Sequence, residues 1–167
     1  TGEQSLFIFY GDGANGKSTL IKYIREIFGN YSISCNKEIF ISKGKDNRGR
    51  ATTELNCIKR KRLSIIEELG SKDKIDIERF KLLTGNEIIK CRELYKKEEE
   101  IPNYSKFIIC TNELPNFGFK DSSITRRLQY IPFTQRFVDN PNKEGERKKK
   151  FITLNLDNLF SWIVMGA

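Results

Sequence analysis

Leu6-Phe7-Ile8-Phe9-Tyr10-Gly11-Asp12-Gly13-Ala14-Asn15-Gly16-Lys17-Ser18-Thr19 is the stretch that decides the fold. Its first five residues form an unbroken apolar run, the pattern of a strand buried on both faces. Gly11 to Ser18 satisfy the spacing Gly-x-x-x-x-Gly-Lys-Ser/Thr in full. Leu20, Ile21, Ile24, Ile27 and Phe28 then recur at helical spacing, and Gly29 ends the repeat. The order is strand, glycine loop, helix. Glycines let the backbone curl so that successive N–H groups point inward at phosphate oxygens. The positive end of the following helix faces the same anion. Lys17 is expected to reach the β- and γ-phosphates, and the Ser18 hydroxyl to ligate Mg²⁺. Gly11, Asp12, Gly13, Ala14, Asn15, Gly16, Lys17, Ser18 and Thr19 are therefore the expected nucleotide-binding residues, with ATP and Mg²⁺ as ligands.

Outward from this loop the chain alternates strands and helices. Leu63 to Ile66 reads as a second buried strand and ends in Glu67-Glu68. Lys106 to Thr111 reads as a third and Leu128 to Phe133 as a fourth. Asp76 to Leu83 predicts a short helix stopped by Gly85, and Ala51 to Ile58 another. Glu87 to Tyr95 and Glu99 to Pro102 read as two strands around a charged tip at Lys96-Lys97-Glu98. Residues 42–50 read as a polar loop and 139–150 as a polar connector. Leu156, Leu159, Phe160 and Ile163 line one side of a closing helix. The expected fold class is α/β, a mainly parallel sheet flanked by helices with a β-hairpin before the third strand. A length of 167 residues suits one domain, 1–167, with a respectable core.

Composition removes several function classes. No apolar run approaches the roughly 18–20 residues that cross a bilayer, and Thr1-Gly2-Glu3-Gln4 does not resemble a secretion signal. The four cysteines (35, 57, 91 and 110) form no Cys-x-x-Cys pair and the chain has no histidine, which argues against a zinc site and against any imidazole base. Reduced, buried thiols imply a reducing, cytoplasmic setting, not a secreted one. Lys plus Arg number 30 against 22 Asp plus Glu, a formal +8, which favours a polyanionic partner.

A nucleotide site needs a carboxylate at the end of a neighbouring strand, and Glu67 and Glu68 supply it. One would hold Mg²⁺ through water and the other would polarise the attacking water; spacing leaves open which does which. Asn112 ends the third strand and suits a side chain that senses the γ-phosphate. Arg126 and Arg127 precede the fourth strand, and in a ring NTPase such a residue reaches the neighbouring subunit's γ-phosphate.

The order of these elements carries a resemblance. The glycine loop, Glu67-Glu68, the helix and hairpin of 76–102, Ile109-Cys110-Thr111-Asn112 and Arg126-Arg127 follow one another compactly. This resembles the motif order of superfamily 3 helicases. Gly-Ala-Asn-Gly-Lys-Ser-Thr (13–19), Arg92-Glu93-Leu94-Tyr95, Cys-Thr-Asn-Glu-Leu-Pro (110–115) and Arg-Arg-Leu-Gln-Tyr-Ile-Pro-Phe (126–133) look like the helicase part of poxvirus-type and satellite-phage-type primase-helicases. The resemblance covers nearly the whole chain. It implies an AAA+-like P-loop NTPase fold, hexameric rings and ATP-driven movement on single-stranded DNA at a viral or phage replication fork. Lys17 and Ser18 would take the Walker A roles, Glu67 and Glu68 the Walker B roles with Glu67 beside the metal, and Asn112 the sensor role. Arg127 would be the arginine finger, with Arg126 not excluded by spacing. Lys96 and Lys97 would touch DNA at the hairpin tip, although Glu98, Glu99 and Glu100 blunt the charge there. The resemblance also implies an upstream primase region and a helical collar outside this chain. Rival readings are another AAA+ DNA motor or loader and, more distantly, a monomeric P-loop nucleoside kinase, which would leave the hairpin and Asn112 unexplained.

Overall fold

Strand β1 (Leu6–Tyr10) lies inside a five-stranded sheet, with β6 (Lys106–Thr111) on one side and β7 (Leu128–Pro132) on the other. Beyond β6 come β3 (Leu63–Glu67) and then β2 (Ser32–Cys35). All four pairings are parallel, so the sheet order is β2-β3-β6-β1-β7. The coordinates are a computed structural model and describe residues 3–41, 53–92, 95–115, 117, 122–150 and 155–165. The predicted loop at 42–50, with its four basic residues, lies outside them.

Strand alternation explains the two cores. Leu6, Ile8, Ile66, Phe107 and Ile109 face one side of the sheet, where they meet Phe40, Phe80 and Leu83. Phe9, Leu63, Ile65 and Ile108 face the other side and meet Ile21, Leu20, Ile24 and Phe28 of α1 (Lys17–Phe28). Both faces are therefore covered, which is why the strands read as continuous apolar runs. Helix α2 (Ile77–Thr84) supplies Phe80 and Leu83 to the first core. It starts where the Asp76 carboxylate accepts N–H bonds from Glu78 (2.9 Å) and Arg79 (3.1 Å), a side-chain cap worth about 1 kcal/mol. Gly29 closes α1 with φ 49°, a backbone angle costly for other residues.

The hairpin and the isolated Ile41–Ile75 bridge add antiparallel pairing, giving a mixed parallel and antiparallel α/β fold of the kind seen among nucleotide-binding proteins. Strands β4 (Ile88–Cys91) and β5 (Glu99–Pro102) pair Ile88 with Pro102 and Cys91 with Glu99. Ile89, Cys91 and Ile101 turn down into the first core, while Ile88, Lys90 and Glu100 face out. Lys59 anchors the hairpin through Glu99 at 2.6 Å. Among the described residues no helix is long and apolar enough to cross a membrane.

Several boundaries differ from those read in the sequence. The ladder of β4 ends at Cys91 rather than running to Tyr95, whose φ of 64° places it in the turn. The segment read as a helix from Ala51 is a 3-10 turn over Thr53–Ile58. Strand β2 is short and half polar, and only its parallel pairing with β3 makes it a strand. The connector 139–150 contains β9 (Glu146–Lys148), which pairs with β8 (Arg136–Val138). A short α3 (Ser122–Thr125) precedes the two arginines, and α4 (Leu156–Met165) occupies the place of the expected closing helix.

Candidate functional site

The parallel strands end together, so their last residues and the following loops share one edge of the sheet. Gly11 leaves β1 at φ 140°, and a Cβ there would overlap the Phe133 carbonyl oxygen, so only glycine fits. Ala14 (φ 61°) and Gly16 (φ 88°) also take positive φ, which curls the loop over its own carbonyls. Asn15 ties the loop to the strand beyond: its Nδ2 donates to the Phe133 carbonyl at 3.2 Å. From β8, the Phe137 N–H donates to the Ala14 carbonyl at 2.7 Å. Helix α1 begins at Lys17, directly after this curl.

Lys17 is only 7% exposed. Its ammonium donates to the Gly11 carbonyl, the Asp12 carbonyl (3.2 Å) and Asn15 Oδ1 (3.1 Å). Burial lowers its pKa, with Cys110 and Asp12 acting in the opposite direction. A cleft of about 920 Å³ opens beside it, lined by Lys17, Ser18, Arg25, Glu67, Glu68, Cys110, Thr111 and Asn112 among others. Glu67 ends β3, and Glu68 follows at φ 63° with its N–H donating to the Cys110 carbonyl at 3.1 Å. Thr111 is buried, and its hydroxyl lies within hydrogen-bond distance of the Leu69 (2.9 Å) and Glu113 (2.7 Å) carbonyls. That contact locks the turn carrying Asn112 to the turn carrying the two glutamates. A second cleft, about 850 Å³, runs along the other side of the loop past Tyr10, Gly11 to Asn15, Pro132 to Arg136 and Asn112. Asn112 borders both clefts.

Five of the predicted residues thus line the first cleft, Lys17, Ser18, Glu67, Glu68 and Asn112, and Gly11 to Asn15 line the second, which Asn112 also borders. Thr19 is exposed and borders neither cleft. The two arginines stand apart. The Arg127 carbonyl accepts from the Leu6 N–H at 2.8 Å, which places the pair at the opposite edge of the sheet. The half-buried Arg127 guanidinium donates to the Lys81 carbonyl (3.1 Å) and Thr84 Oγ1 (2.9 Å) of α2. Arg126 is exposed. Lys96 and Lys97 sit exposed at the hairpin tip beside Tyr95, which is 97% exposed.

A family of proteins of unknown function, DUF5906, matches residues 9–127, from the end of β1 through the hairpin to Arg127. The chain belongs to that family. Relatives of this DUF5906 chain include a protein of Acanthamoeba polyphaga mimivirus, L207/L206, named provisionally as a helicase: 30% identical over 92% of this chain and 16% of its own length. Primase D5 of fowlpox virus is 27% identical over 91% of this chain and 19% of its own length. The chain therefore spans less than a fifth of these curated relatives. The apo NrS-1 C-terminal region has the same fold, with a TM-score of 0.58 at 23% identity, covering 78% of this chain and 29% of that one. This DUF5906 domain is thus similar to viral proteins named as helicases and primases, and it shares its fold with the NrS-1 C-terminal region.

Some site residues of this family member escaped the sequence reading. Cys110 was read as a bland buried thiol, yet it borders the cleft; burial, then Glu67, pushes its pKa up to about 12, against the pull of Lys17. Its signal was adjacency to Asn112, two residues on. Thr111 acts through its hydroxyl and Phe133 through its backbone carbonyl, contacts that the motifs containing them do not report.

Proposed function

We propose that this domain is an AAA+-type P-loop NTPase, the ATP-hydrolysing motor of a superfamily 3 DNA helicase within a viral or phage replication protein. The observation that carries the reading is the meeting, in one cleft, of Lys17 and Ser18 from α1, Glu67 and Glu68 at the end of β3, and Asn112 just after β6. The strand order supports it, because β6 is inserted between the loop strand and the carboxylate strand. That insertion sets Asn112 between the phosphate loop and the glutamates. The helicase and primase names of the viral relatives support the biological setting.

The residues present fit ATP and Mg²⁺. The curled loop and the start of α1 offer N–H groups and a positive dipole end to phosphate oxygens. Among the described residues no group of three or more His, Cys, Asp or Glu forms a metal cage. A Ser18 hydroxyl and one glutamate suit Mg²⁺, which keeps waters and takes its other oxygens from phosphates. Bound there, Mg²⁺ would neutralise charge on the phosphates. Lys17 would exchange its loop carbonyls for β- and γ-phosphate oxygens. Glu67 would hold the metal's water, Glu68 would accept the proton of the attacking water, and Asn112 would orient that water.

Of the two arginines, Arg126 is the one whose exposure suits a neighbouring subunit's γ-phosphate, whereas Arg127 braces β7 against α2. A composite site of this kind requires a ring, and a hexamer is the stoichiometry the resemblance implies. Within the ring, Tyr95, Lys96 and Lys97 would meet single-stranded DNA at the hairpin tip, two cations and an aromatic on a projecting turn. The host cytoplasm is the proposed place of action. The test is thermal stabilisation by ATP with Mg²⁺. Wild type should melt higher with ATP–Mg²⁺ by an amount that grows with ligand concentration, and Lys17→Ala should not; equal shifts in both proteins would refute the assignment.

A further inference from the structure

The edge of the sheet opposite the cleft carries a feature that the nucleotide site and the hairpin tip do not use. Tyr31, Arg62 and Ser105 stand immediately before β2, β3 and β6, three adjacent parallel strands that begin in register at Ser32, Leu63 and Lys106. Tyr104 follows one residue further out. Tyr31 is 62% exposed and Tyr104 55% exposed, so two aromatic rings face solvent along this edge. The Arg62 guanidinium lies over the Tyr104 ring at 4.9 Å from its centroid.

These exposed groups rest on a rigid base. Asn103 and Ser105, on either side of Tyr104, are both buried. Asn103 Nδ2 donates to the Leu83 carbonyl at 2.6 Å, its Oδ1 accepts from the Ser105 N–H at 3.1 Å, and the Ser105 and Ser64 hydroxyls meet at 2.7 Å. The Arg62 N–H donates to the Tyr31 carbonyl at 2.8 Å, and its own carbonyl accepts from the Lys106 N–H at 2.9 Å. Arg60, Lys61 and Lys106 add positive charge along the same edge, Lys61 through the Asn30 carbonyl and Lys106 through the Glu3 carbonyl. The nearby Glu99 carboxylate is engaged by Lys59. Strand β5 runs through Asn103 to Ser105 into β6, so the hairpin springs from this same edge.

We infer that Tyr31, Arg62 and Tyr104 form a stacking platform for the bases of a single-stranded nucleic acid, with Arg60, Lys61 and Lys106 following its phosphates. The chemistry is that of sequence-tolerant single-strand binding: aromatic faces for bases and cations for the backbone. An acidic protein surface would be served by the cations alone and would leave the two exposed rings without a role. The inference deepens the proposed function and rests on its single-stranded partner.

The experiment measures fluorescence anisotropy of a labelled oligothymidylate of about twenty nucleotides and of an abasic strand of equal length. Binding proteins are wild type, Tyr104→Ala, Tyr104→Phe, Arg62→Lys and the double variant Lys96→Ala with Lys97→Ala. Tyr104→Ala should weaken oligothymidylate binding by about five- to a hundred-fold, leave abasic-strand affinity within two-fold, and be rescued by Tyr104→Phe. Arg62→Lys should lose part of the same preference for bases while keeping the charge. Unaltered oligothymidylate binding by Tyr104→Ala, beside a weakened hairpin variant, would overturn the platform and leave the helicase reading standing. Equal weakening on both strands would overturn the stacking role. A wild type that binds neither strand would overturn both readings.

Discussion

The two edges of the central sheet are built from the same strands yet are held in opposite ways. At the edge where the strands end, the buried Lys17 and Thr111 hold loop carbonyls and Asn15 and the Glu68 N–H donates to the Cys110 carbonyl, while Ser18, Glu67, Glu68 and Asn112 stand exposed along the cleft. At the edge where they begin, the backbone is locked but the side chains Tyr31, Arg62 and Tyr104 stand out in solvent. In the proposed function the first edge meets one small ligand, whose phosphates must be bound at fixed positions. In the proposed platform the second edge meets a long, variable polymer. The difference teaches that a curled loop bonded to its own carbonyls suits a site of fixed geometry whereas side chains standing on a locked backbone suit a strand, and on the proposed reading one parallel sheet serves both because its ends lie about 16 Å apart across a five-residue strand.

Substitutions should separate the two edges. The largest effect belongs to Arg126→Ala, which should cut steady-state ATP turnover by about a thousand-fold or more while ATP binding by equilibrium dialysis is retained, since an arginine finger acts on the transition state. Turnover within ten-fold of wild type would return the finger role to Arg127. Lys17→Ala should lower phosphate release by at least about a hundred-fold through loss of an electrostatic clamp, without changing oligothymidylate affinity in the absence of nucleotide. A matched loss of strand binding would mean that the edges are not independent. Arg127→Ala should cost about 1–3 kcal/mol of stability in urea denaturation, because the Lys81 carbonyl and Thr84 hydroxyl lose their donor. The smallest effect is expected of Lys96→Ala with Lys97→Ala: the slope of log affinity against log salt for single-stranded DNA should flatten by about 1.4, two phosphate contacts' worth. An unaltered slope would move the strand contact wholly to the base of the hairpin.

The cleft edge was legible in the sequence and the platform edge was not, for a physical reason. Gly11, Gly16 and Lys17 are fixed by backbone curl and charge at set spacing, so a linear pattern reports them. Glu67 and Asn112 were legible because each follows an apolar run that had to be a buried strand. Tyr31 and Tyr104 follow no such rule: an isolated tyrosine does not report its own exposure until the fold places it. Lys59 to Arg62 is a run of four cations, but its alignment with Tyr104 depends on the parallel registers of β2, β3 and β6, which are contacts across more than thirty residues. The roles of Arg126 and Arg127 were left open by spacing because adjacent residues differ in burial only once α2 is placed against β7. Strand β2 escaped because Ser32 and Ser34 break its apolar run, and only the neighbouring β3 draws it into the sheet.

The most direct test of the central claim, an ATPase that works at composite sites under control of single-stranded DNA, is ATP turnover per subunit across a protein concentration series. It is measured with and without oligothymidylate, and Lys17→Ala serves as the blank. Specific activity should rise with protein concentration as subunits complete one another's sites, and rise again when the strand is added. A rate that stays flat with concentration and indifferent to DNA, yet is abolished in Lys17→Ala, would contradict the account and assign the cleft to a monomeric phosphotransferase.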